Sequence, residues 1–141
     1  MLLTAPTRTA ALVGHFLSPT RLGLARTGVG VAMLTRPSLV PTALGVDPVS
    51  AQRMDWAVQM LGAREVSLGL GAVAAGRAAR RSGDGRPARL WLAAGLLADA
   101  VDAAAVARAV GAGRLSKGTG GALVLIAAAA AGVQARELAR R

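Results

Sequence analysis

Five ionisable side chains, Arg26, Arg64, Glu65, Asp99 and Asp102, lie inside stretches of chain that are otherwise apolar or small. Arg64 and Glu65 are adjacent in LGAREVSLGLG (61–71), and Asp99 and Asp102 stand three apart in LLADAVDAAAV (96–106). Two guanidinium groups can hold two carboxylates by bidentate pairing. Three carboxylates against two arginines leave one in excess, and a carboxyl group buried without a cation holds a proton. Such a group can act as a general acid or base, or relay a proton. Asp99 and Asp102, on one helix face, are the pair expected to share that proton. The same five charges can also serve only to lock helices in register, a role in which each buried polar contact contributes about 1 kcal/mol or less.

The elements that carry these residues are read as helices. The chain has 141 residues, 53% of them hydrophobic and only 2% aromatic, with no Tyr and no Cys. Strands favour aromatic and β-branched residues, so a mixture dominated by Ala, Gly, Leu and Val argues for helices packed through small side chains. Four apolar segments are expected to span a membrane, over roughly residues 19–39, 55–76, 90–110 and 118–136. The last contains GTGGALVLIAAAAAGVQA (118–135), free of charge throughout. A soluble bundle would need a broad polar face on each helix, whereas here the polar residues form a narrow band at mid-length. The fold class is therefore an all-α, four-transmembrane-helix bundle, one integral membrane domain over 1–141. Residues 1–16 are expected to form a short interfacial segment rather than a cleaved signal, and to place His15 at the membrane surface.

Geometry lets the charges meet. Glu65 shares a helix face with Gly62, Gly69, Ala72 and Gly76, and Arg26 lies on a stripe with Gly23 and Gly30. Small residues of this kind let neighbouring helices approach closely. Arg64, about 100° around from Glu65, is expected to look toward a different helix, that of Asp99 and Asp102, rather than toward Glu65.

The net charge of +10 would suit a nucleic-acid binder. The arginines instead gather between the apolar runs, without aromatic interleaving or a reading motif, so no nucleic-acid partner is expected. Nine basic residues (Arg8, Arg77, Arg80, Arg81, Arg86, Arg89, Arg136, Arg140, Arg141) belong to the amino terminus, the second connection and the carboxyl terminus, against five (Arg36, Arg53, Arg108, Arg114, Lys117) in the first and third connections. The positive-inside rule then puts both termini in the cytoplasm and the chain in the plasma membrane as a multi-pass protein. Trp56 and Trp91, at the start of the second and third segments, suit the headgroup level. One histidine and no cysteine make no metal site, and no dinucleotide or phosphate-loop fingerprint is present, so no cofactor is expected.

The RLGLARTGVGVAMLTRP first helix (21–37), the GARE stretch of the second (Gly62, Ala63, Arg64, Glu65) and the Trp91, Asp99, Asp102 spacing of the third resemble a family of small four-helix membrane proteins of actinobacteria, loosely similar to the DoxX group. The resemblance covers most of residues 17–135; it implies the four-helix fold and no particular activity. From the residues themselves, the leading expectation is a membrane-embedded, cofactor-independent isomerase or cyclase for a lipophilic small molecule such as a terpenoid or polyketide. Glu65, Asp99 and Asp102 would exchange protons, and Arg26 and Arg64 would hold the carboxylates or stabilise developing negative charge. An accessory or assembly subunit, seated against another protein or a second copy of the chain, and a small proton-coupled transporter are the alternatives.

Overall fold

A computed structural model describes residues 19–139 of the chain. The expected interfacial segment, with Arg8 and His15, lies outside the described residues, as do Arg140 and Arg141. The described chain is all helical: α1 (Pro19–Thr35), α2 (Leu39–Ala43), α3 (Pro48–Arg53), α4 (Asp55–Ser82), α5 (Arg86–Gly111) and α6 (Lys117–Ala139). Four are long, and α5 and α6 are long and apolar enough to cross a membrane.

The connections differ from the sequence expectation. The first long helix ends at Thr35 rather than near residue 39, because Pro37 disfavours helical backbone at the residue before it. The irregular first connection contains two short helices, the second started by Asp47, whose side chain accepts the Ser50 backbone N–H at 3.0 Å, with Pro48 in the first turn. Hydrogen bonds from Ser50, side chain first and backbone second, hold the Asp47 carboxyl below the usual carboxylate range. In the second connection, expected as a long turn-rich stretch, α4 runs on through Arg77, Arg80 and Arg81 to Ser82, and α5 begins at Arg86 with Pro87 in its first turn. Ala and Arg are good helix formers and Pro is tolerated at a helix start, so only Gly83, Asp84 and Gly85 remain between the helices. Gly83 ends α4 in the left-handed region at φ 74°, a conformation other residues adopt at a cost.

The long helices form antiparallel pairs. α1 packs along α4 and α6 along α5, with α4 against α5 joining the two pairs. In the first pair, glycine faces glycine. A methyl group on Gly30 would stand 2.6 Å from the Gly62 carbonyl oxygen, and one on Gly62 would stand 2.9 Å from that of Gly30. A methyl group on Gly23 would meet the Gly69 carbonyl oxygen at 2.5 Å. The two backbones therefore touch at two points seven residues apart on each helix, and Arg26 and Glu65 lie between those points. In the second pair Gly120 makes room for Val110, and between α4 and α5 Gly71 receives the face of the Trp91 ring.

What is buried is small. The buried apolar residues are Ala51, Val58, Ala72, Val73, Ala75, Ala88 and Leu92, whereas Leu90, Leu97, Leu125 and Ile126 are each about two-thirds exposed or more. In the apolar stretches of α5 and α6 only 17% and 11% of residues are buried, so most of their apolar surface is left uncovered by the rest of the described chain.

The glycine contacts predict opposite outcomes for neighbouring positions. Gly30→Ala is expected to destabilise by about 1–3 kcal/mol through overpacking. Gly28→Ala, where the added methyl meets nothing, is expected to be neutral or to stabilise by up to about 1 kcal/mol through helix propensity. Thermal unfolding in mild detergent checks the pair; equal shifts would contradict the close crossing.

Candidate functional site

The glycine crossing brings Arg26 of α1 against Glu65 of α4 and, across the bundle, against Asp99 of α5. Its two terminal nitrogens grip Asp99 in a bidentate pair, Nη1 to Oδ2 and Nη2 to Oδ1, both at 2.9 Å. Nη2 also donates to Glu65 Oε1 at 3.1 Å, while Nε lies 2.9 Å from Glu65 Oε2. The three side chains are nearly closed off, 9% exposed for Arg26, 12% for Glu65 and 11% for Asp99. One guanidinium thus ties three helices together.

Arg64 makes a second fork on Asp102, through Nη1 to Oδ1 at 3.0 Å and through Nη2 to Oδ2. This pair is far more open, at 35% and 36% exposure. Arg64 looks toward α5, as its helical phase predicts. It also donates from Nη2 to Glu65 Oε1 at 3.2 Å, contrary to the expectation that the adjacent pair would not meet. The arginine side chain is long enough to fork Asp102 and still pass over the carboxylate beside it. Glu65 therefore bridges both arginines. The expectation that Asp99 and Asp102 share one proton is corrected in the same way: each has its own guanidinium, because they face different helices.

The structure adds a residue that reasoning from charge passed over. Gln134, on α6, is 1% exposed, and its Nε2 donates to Asp99 Oδ2 and to the Ala130 carbonyl oxygen. It is the polar side chain in the middle of VQAR, near the end of the uncharged run, and its being the one amide in an otherwise apolar stretch is the signal the sequence offered. Gly95 on α5 makes the room, since a methyl group there would collide with the Gln134 amide oxygen and stand 3.4 Å from Arg26 Nη1. Three carboxylates against two guanidiniums leave one formal negative charge, and the Gln134 amide supplies the further neutral donor to Asp99.

Beside this band lies a cavity of about 430 Å³. Val29 and Met33 of α1, Leu61 of α4, Val106 of α5 and Leu123 and Ile126 of α6 form its apolar wall, and Arg64, Glu65, Asp99 and Asp102 line its polar side. All five predicted site residues thus converge, and four reach the cavity, with Arg26 behind them. Among the described residues no group of His, Cys, Asp and Glu is placed to hold a metal ion. An apolar chamber with a few convergent polar groups on one side is the general form of a small-molecule site. Comparison with protein-family models, with curated proteins and with solved structures finds no match for this chain.

The two forks predict unequal costs. Arg26→Gln, which leaves buried Asp99 without a cation and Glu65 with Arg64 alone, is expected to destabilise by about 3–5 kcal/mol. Arg64→Gln, at the open edge, is expected to cost about 1 kcal/mol or less. Gly95→Ala should resemble Gln134→Leu, since both remove the amide from Asp99. Thermal unfolding of the four variants in detergent checks the order, and a larger loss for Arg64→Gln than for Arg26→Gln would contradict it.

Proposed function

We propose that the chain is a multi-pass membrane protein that binds a lipophilic small molecule in the cavity between its four long helices and rearranges it by proton exchange, as an isomerase or cyclase. The observation that carries this reading is an apolar chamber walled on one side by a charge band with one carboxylate more than its arginines. Four spans are supported by the apolar side chains exposed on the long helices, among them Leu24 and Val31 on α1 and Met60 and Leu70 on α4. In a bilayer these faces meet lipid, and the polar groups turn to one another. The exposed Arg77, Arg80, Arg81, Arg86 and Arg89 around the α4–α5 turn support placing that end, with both termini, on the cytoplasmic side.

Within the band the roles divide by exposure. Glu65 and Asp99 are closed off around Arg26 and position the floor of the chamber. Asp102 is the most exposed of the three carboxylates that line the cavity and is the group that takes a proton from an activated carbon of the ligand and returns it at another. Arg64 stays beside Asp102 and stabilises negative charge that develops on the ligand between those two steps. No cofactor enters such a step.

A non-catalytic role as a partner subunit, or as one copy of a homo-oligomer, is the second reading. It is favoured by Gly121 and Gly132 on α6, beside which there is open space for another helix.

The test starts from protein purified in mild detergent, with mass spectrometry of the lipophilic molecule that accompanies it. Incubation in heavy water should then place deuterium in that molecule with the natural chain. Asp102→Asn should keep the molecule bound and the thermal midpoint close to unchanged, and should lose exchange by about the hundredfold or more that a general base contributes. Undiminished exchange in Asp102→Asn would end the catalytic reading, and native mass spectrometry finding a stable assembly with no small molecule would favour the partner-subunit reading.

A further inference from the structure

A second basic feature that the charge band does not use lies on the same helix, and one residue is common to its lining and the chamber's. Ala105 of α5 lines the chamber and also lines a concavity of about 490 Å³ on the outer part of the same helix, with Val101, Arg108 and Arg114. The end of α5 is built to bring those two arginines together. Gly113 takes a left-handed conformation at φ 69°, and the chain folds back so that the Arg114 backbone N–H donates to the Ala109 carbonyl at 2.8 Å. The residue after the helix is thereby returned to its last turn, beside Arg108. Both side chains are exposed, and neither pairs with a carboxylate among the described residues. From Asp102 to Arg108 the helix rises by about 9 Å, a path along which Ala105 and Val106 offer only apolar surface.

We propose that the ligand is a single-chain amphiphilic anion, a phosphate or carboxylate on a hydrocarbon or isoprenoid tail. Its head rests between Arg108 and Arg114, and its tail runs past Ala105 into the chamber as far as Arg64 and Asp102. Two guanidiniums that line one concavity without a carboxylate of their own suit an oxyanion, which accepts charge-assisted hydrogen bonds from both. The apolar path behind them suits the tail, and the carboxylates at its far end, Asp102 foremost, meet the tail rather than the head. This inference rests on the chamber being a lipophile site, and it adds which class of lipophile and which end enters first.

The experiment uses the full chain in nanodiscs of zwitterionic lipid, with farnesyl phosphate, farnesol and inorganic phosphate as probes. Farnesyl phosphate should bind at least about tenfold more tightly than farnesol, the factor carried by one charge-assisted hydrogen bond. The double variant Arg108→Gln, Arg114→Gln should bring the two affinities together without weakening farnesol, and inorganic phosphate should not compete. Equal binding of alcohol and phosphate by the natural chain, or a preference that survives in the double variant, would overturn the head-group assignment. Ala127 of α6 also lines the chamber, and Ala127→Trp, which fills it, separates the two levels of the claim. If it abolishes farnesol binding while the natural chain shows no preference for the phosphate, the chamber stands and the head-group assignment falls. If neither isoprenoid binds the natural chain, both fall.

Discussion

The Arg26 guanidinium is the constraint on which the rest depends. It sits 9% exposed between two carboxylates from two other helices, and a charge so placed tolerates no loss of either partner. Everything around it can be understood as making that position habitable. The facing glycines draw the α1 and α4 backbones together so that Arg26 and Glu65 meet edge to edge. Gly95 opens the space in which Gln134 completes the ring around Asp99. With so many small residues spent on proximity, few large side chains remain to be buried, and the apolar ones end on the outside.

The band is graded rather than uniform. At its inner end every polar atom of Asp99 is engaged, by Arg26 twice and by Gln134. At its outer end Arg64 and Asp102 hold each other in a strong fork yet remain about a third exposed. Glu65 belongs to both halves, touching Arg26 and Arg64, so the two pairs are electrically one object. Such an arrangement separates holding from reacting: the enclosed half fixes geometry, and the open half can exchange partners without the helices coming apart.

Much of this was legible in the sequence. Charges inside apolar runs stand out, and helical phase put Glu65 on a glycine face and Arg64 toward Asp102, which is where the structure has them. Phase gives the direction of a Cβ and not the reach of a side chain, which is why the Arg64–Glu65 contact escaped it. Gln134 escaped for a different reason: an uncharged residue leaves a hydropathy run unbroken, and its importance lies in hydrogen bonds that composition does not register. The bounds of the elements were misjudged where Arg and Ala continue a helix that the expectation ended at the last apolar residue, as at Arg77 to Ser82. Two of the four long helices satisfy length and apolar composition for crossing a membrane. α4 carries the charged pair, so its placement depends on what the charges meet, which a linear count of hydropathy cannot see.

The turn at Gly83, Asp84 and Gly85 has an entropic consequence. With three residues between them, α4 and α5 are neighbours as soon as they are helical, and the Arg64–Asp102 fork closes within that hairpin at small entropic cost. Arg26 must arrive from 73 residues away, across two short helices and an irregular connection, to reach Asp99. Its contact with Glu65 spans 39 residues, nearly the 38 of the Arg64–Asp102 fork, so the long reach belongs to the Asp99 grip alone. Without α1, the α4–α5 hairpin would present one guanidinium to three carboxylates, and Arg26 supplies the second.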